Sequence, residues 1–178
     1  MLLLYIWCDE YWLEAYNVPD YKAEARGIGR VIRFHLPSLL IGLSLALAGV
    51  AYKWSFSGTP GVVPGYDLFL VATALVPSMF LFPTALPFVN WRALSFTYFL
   101  LQLLSLLWEA TLAAPYQWWG YRAEQMLGLT IAAWAGLTIE AVVVWMASTD
   151  TTAIFYEVVK IVVALDRPWL QALFGKKG

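Results

Sequence analysis

The chain has 178 residues, 61% of them hydrophobic and only 13% charged, a balance that excludes an ordinary soluble domain. A net charge of −1 excludes the concentrated basic surface that a nucleic-acid partner requires. Cys8 is the lone cysteine, and no CxxC pair or histidine cluster offers a metal site.

Several apolar stretches reach the ~20 residues that carry a helix across a hydrocarbon core. The expectation is therefore an all-α integral membrane protein, a single helical domain over residues 1–178. It has four transmembrane helices, or five if the N-terminal segment crosses, and short interfacial helices at both ends. The opening segment, residues 1–16, lacks the basic start and small-residue cleavage site of a secretory signal and is read as mature protein. Its apolar part is too short to span unaided, so it is an interfacial helix or the tail of a span. Residues 17–33 are polar and carry Lys22, Arg26, Arg30 and Arg33.

The first span is expected at about 34–52, with Pro37 in its first turn, where a missing amide donor is tolerated. A Gly/Pro loop over 57–65 turns the chain at the membrane surface. The second span, about 66–89, contains Pro77, Pro83 and Pro87 and is expected to kink. The third runs over about 92–114 and the fourth over about 125–148. A last apolar stretch, 152–165, bears Glu157 and Lys160 on one helical face and is read as interfacial, stopped by Asp166-Arg167-Pro168.

With four spans, nine of the eleven Lys and Arg residues fall on one side and only Lys53 and Arg122 on the other. That positive-inside bias predicts both termini in the cytoplasm and a cytoplasmic membrane of bacterial type. The lipid bilayer is then the first partner.

Ser95, Tyr98, Gln102, Ser105 and Glu109 recur three and four apart and form one polar stripe on the third span. Such a stripe faces a cavity or forms a polar seam with a neighbouring helix. Glu109 closes the stripe near an aromatic loop, Pro115-Tyr116-Gln117-Trp118-Trp119-Gly120-Tyr121. It is a functional acid or an interfacial Glu paired with Arg122.

Glu140 sits about 15 residues into the expected fourth span, where burial favours the neutral acid. It is a proton donor, or a protonated Glu bonded to a neighbouring helix. Straight helices would leave Glu109 and Glu140 at different depths. Trp108, Trp118, Trp119 and Trp134 either belong to an interfacial aromatic belt or line a pocket whose π faces stabilise a cation. His35, the only histidine, excludes bis-His haem ligation and is an interfacial polar residue or an axial ligand to a pigment. No Asp-Asp-x-x-Asp motif supports magnesium-dependent chemistry on a diphosphate.

Trp108-Glu109, Trp119-Gly120-Tyr121, Gly128 and Leu137-Thr138-Ile139-Glu140-Ala141 together resemble the pattern of the small lycopene cyclase domain and related integral-membrane terpenoid cyclases. The resemblance covers residues 92–147. Leu137 or Thr138 stands where that family has a proline, and Ala141 where it has a second acid. The resemblance implies a redox-neutral isoprenoid cyclase-like or isomerase-like reaction that needs no cofactor. It implies Glu140 and Glu109 as catalytic residues, with Trp108, Trp118, Trp119, Tyr121, Trp134, Tyr98 and Gln102 around an apolar isoprenoid-like ligand. A different class of reading is a non-catalytic subunit of a larger membrane complex, such as a pigment or electron-transfer assembly, or a homo-oligomer. A sterol-isomerase-like bundle is a third.

Overall fold

The computed structural model describes residues 1–57 and 61–175; part of the Gly/Pro loop and the tail lysines Lys176 and Lys177, which entered the charge count, lie outside the described residues. The chain is mostly helical. Three helices are long and apolar enough to cross a membrane: α3 (Leu36–Phe56), Trp91–Ala113, and α7 (Ile139–Ala164). A shorter apolar helix, α4 (Gly65–Phe80), lies between them in the sequence.

Short helices surround these. They are α1 (Leu2–Trp7), continued by a π-helical turn Cys8–Trp12, α2 (Tyr21–Arg26), α5 (Phe82–Ala85) and α8 (Trp169–Phe174). The third long helix comprises α6 (Trp91–Trp108) and a π-helical turn, Glu109–Ala113. A two-stranded antiparallel hairpin, β1 (Thr130–Ile131) and β2 (Leu137–Thr138), leads into α7 with Thr130 opposite Thr138.

The helices pack in the order α3, α4, α7, α6, with α7 touching most of the others. Pro37 sits in the first turn of α3, as expected. Only Gly42, Gly49 and Lys53 of α3 are buried, while Leu40, Ile41, Leu43, Leu45 and Leu47 face outward. An apolar helix exposed in this way is matched to hydrocarbon, because water would make that surface costly. Gly42 faces Leu75 and Gly49 faces Asp67, and without Cβ atoms there α3 approaches α4 closely.

The second span differs from the kinked helix expected over 66–89. Helix α4 ends at Phe80, three residues past Pro77, and Pro83 sits in the first turn of the separate short helix α5, Phe82–Ala85. Proline fits a first helical turn and disrupts an interior, so the chain starts a new helix there rather than bending one.

The larger correction concerns the span expected over 125–148 and the interfacial helix expected over 152–165. Residues 126–138 are loop and hairpin, and one 26-residue helix, α7, runs through both expected segments. Gly128 and Gly136 adopt φ of 92° and 71°, and Ala135 φ of 54°, conformations that a right-handed helix does not contain. Asp166, at φ 48°, and Pro168 then stop α7 where the sequence indicates.

The N-terminal helix runs alongside the second half of α7. The Thr149 hydroxyl lies 3.7 Å from the Met1 sulfur, the Tyr5 hydroxyl donates to Glu157 at 2.9 Å, and Lys160 meets Asp9 at 2.8 Å. Tyr5 and Cys8 are buried with Ala93, Leu94 and Ala153 in a cluster between α1, α6 and α7. Asn90 caps α6 through the Ala93 N–H at 3.2 Å and also donates to the Leu13 carbonyl at 3.0 Å, so one buried amide fixes both segments. Such a cap contributes about 1 kcal/mol.

Candidate functional site

The antiparallel pair α6 and α7 places its two glutamates at one end. Glu109 follows the last residue of α6, and Glu140 is the second residue of α7. The depth mismatch expected from two straight spans is therefore much reduced. Its premise, fifteen helical residues before Glu140, is replaced by a hairpin that leads into the first turn of α7.

Glu109 is 1% exposed and Glu140 fully buried. Glu109 accepts two hydrogen bonds, from the Tyr121 hydroxyl to Oε2 at 2.8 Å and from the Trp145 indole N–H to Oε1 at 2.7 Å. Burial, followed by the bond to Glu109, pushes the Tyr121 hydroxyl well above its ordinary value, so it stays a neutral donor. Glu109 makes no ion pair with Arg122; the ion pairs among the described residues are those of Lys160. A π-helical turn at Glu109, a feature frequent at functional sites, sets the direction in which the chain leaves α6.

Glu140 Oε1 accepts the Leu127 backbone N–H at 2.5 Å, whereas Oε2 has no hydrogen-bond partner. A buried carboxyl oxygen without a partner is uncommon and costly. The position also has a structural use. An acid in the first turn complements the positive end of the helix dipole, and the bond to Leu127 ties the loop to α7.

A cleft of about 600 Å³ opens beside the pair, lined by Gly65, Tyr66, Glu109, Trp119, Gly120, Tyr121, Arg122, Gln125, Met126 and Val144. Glu140 is not among the lining residues: Met126, which is, adjoins its partner Leu127, and Val144 is one helical turn further along α7.

Lys53 holds the loop that forms the wall. It is 3% exposed and donates to the carbonyls of Ala123 at 3.1 Å and Met126 at 2.5 Å. Replacing Lys53 with Met removes two donors and leaves those carbonyls short of partners, at about 1–3 kcal/mol. Hydrogen exchange is expected to rise in residues 121–128 of Lys53→Met while α6 and α7 stay protected. Unchanged exchange there would show that the loop is held by other contacts.

Three residues of the α6 polar stripe, Tyr98, Gln102 and Glu109, meet α7, whereas Ser95 is exposed. The Tyr98 hydroxyl donates to the Met146 carbonyl at 3.1 Å and Gln102 Nε2 to the Val142 carbonyl at 3.0 Å. Their polar atoms thus form an interhelical seam. Tyr98, Gln102 and Trp134 share a separate groove with Phe99, Leu103, Leu106 and Met146, apart from the Glu109 cleft. The Trp108 ring lies 4.7 Å from Trp119, tilted by 53°, and 6.0 Å edge-on from Trp118, and of these three only Trp119 lines the cleft. Trp118 is 58% exposed, as a belt residue is.

Sequence reasoning did not single out Trp145, Tyr66, Met126 or Lys53 for this site, nor Asp150, which lies mid-helix in α7 on an apolar groove between α3, α4 and α7. The Gly128 and Ala135-Gly136 turn signals, with the apolar pattern continuing through 152–165, were the marks that could have set the register of α7. No family model matches the chain, and no curated protein or solved structure matches it either.

Proposed function

We propose that the protein crosses the membrane four times, counting α4, with its basic end in the cytoplasm, and that it rearranges an apolar isoprenoid-like substrate by redox-neutral proton transfer. The observation that supports this reading is the pair of buried carboxyl groups at one end of α6 and α7, neither of them in an ion pair among the described residues.

The pair is asymmetric. Both oxygens of Glu109 receive hydrogen bonds, an arrangement suited to holding negative charge opposite a cation or to accepting a proton. Glu140 keeps one oxygen free of partners, which suits a group that carries a proton for delivery. Met126, an unbranched and adaptable side chain, lines the cleft next to Leu127, the residue whose N–H meets Glu140. Trp119, Tyr121 and Tyr66 supply aromatic surface beside Glu109, shielding a cation from water.

The test is mass spectrometry of lipid extracts from cells that make a set of linear isoprenoids, with and without the protein. A product isomeric with one of the supplied isoprenoids is expected. An unchanged lipid profile across that set would overturn the reading.

A further inference from the structure

The opposite end of the bundle carries an open cavity of about 910 Å³, lined by α2, the segment leading into it, and the last turns of α7. Its lining separates by chemistry. Val159, Val163 and Val18 give apolar walls, and Val159 and Val163 are 59% and 74% exposed on the outer face of α7. Phe155, four residues before Val159 and 50% exposed, continues that stripe along the helix.

The polar lining holds Lys22, Arg26 and Lys160 against Glu10, Glu14 and Asp166, three charges of each sign. Lys160 is committed within the fold, at 2.8 Å from Asp9 and 2.7 Å from Glu10. Lys22 and Arg26 are four apart on α2, so they lie side by side, and neither has an ion pair among the described residues. Two adjacent cations suit a phosphate. Glu14 and Asp166 on the same cavity suit an ammonium, whereas an anionic headgroup would leave these acids uncompensated.

We propose that this cavity is a headgroup site for a zwitterionic aminophospholipid, phosphatidylethanolamine in chemical class. Its phosphate lies between Lys22 and Arg26, its ammonium reaches Glu14 and Asp166, and an acyl chain follows the Val163, Val159, Phe155 stripe. The charge balance of the lining selects this occupant over a phosphatidylglycerol. The site is independent of the Glu109 cleft, and its test does not depend on the catalytic reading.

Native mass spectrometry of the full chain, released from detergent micelles containing equimolar dioleoyl phosphatidylethanolamine and phosphatidylglycerol, measures the preference. Retention of phosphatidylethanolamine is expected to exceed that of phosphatidylglycerol about tenfold, the effect of about 1.4 kcal/mol. Lys22→Gln with Arg26→Gln is expected to remove that excess, and Glu14→Gln, a change on the other wall, to reduce it. Equal retention of the two lipids, a preference for phosphatidylglycerol, or a preference unchanged in both variants would overturn the proposal. Displacement of the bound lipid by millimolar soluble phosphoethanolamine would overturn the lipid as occupant.

Discussion

Glu140→Gln is expected to lower turnover of the isoprenoid substrate by about 10²–10⁴-fold, the range of general acid catalysis, while the protein folds and inserts normally. Gln retains a side-chain carbonyl oxygen, so the acceptor for the Leu127 N–H survives. What Gln lacks is a proton it can give up. If Glu140 served only to tie the loop to α7, the amide would do that work and turnover would be near normal. Glu140→Ala removes both functions, so the ratio of the two variants separates chemistry from positioning. Equal activity of wild type and Glu140→Gln would remove Glu140 as the acid. The parallel change Glu109→Gln keeps an acceptor for the Trp145 N–H or the Tyr121 hydroxyl but removes the negative charge.

Much of this arrangement is legible in the sequence, for identifiable reasons. Long apolar runs bounded by Pro37 and Asp166 translate directly into α3 and the end of α7, because helix starts and stops leave local marks. The stripe from Ser95 to Glu109 is a helix-periodic signal, and Tyr98, Gln102 and Glu109 of it do meet a neighbouring helix. The start of α7 was hidden because residues 125–138 are as apolar as a span. Their backbone conformation distinguishes them, at Gly128, Ala135 and Gly136, and isolated glycines are a weak mark of it in a sequence. That single register error moved Glu140 from the first turn to the middle of a span, placed Asp150 in a loop, and left Trp145 outside the site. Lys53 was hidden for a different reason: its partners are backbone carbonyls about seventy residues away, and a main-chain acceptor has no sequence signature.

Lys160→Met is expected to destabilise the fold by about 3–5 kcal/mol, the cost of leaving a buried carboxylate without its cation. Asp9 is fully buried, and Lys160 is its cation among the described residues. Lys160 also meets Glu10, which receives the Tyr156 hydroxyl at 2.6 Å, and it lies over the rings of Tyr21 and Tyr156. Removing the ammonium leaves Asp9 with neutral amide partners, Asn17 at 3.0 Å and Asn90. An exposed pair would be worth only about 0–1 kcal/mol, so a thermal-melting measurement in detergent distinguishes the two cases. Adding Asp9→Asn to Lys160→Met is expected to recover much of the loss, because the uncompensated charge goes with it. A small effect of Lys160→Met, or no recovery in the double variant, would mean that α1 is held on α6 and α7 by Tyr5, Cys8 and their apolar neighbours alone. The magnitude therefore reports whether the N-terminal helix is attached by charge or by packing, and a large loss with recovery assigns it to charge.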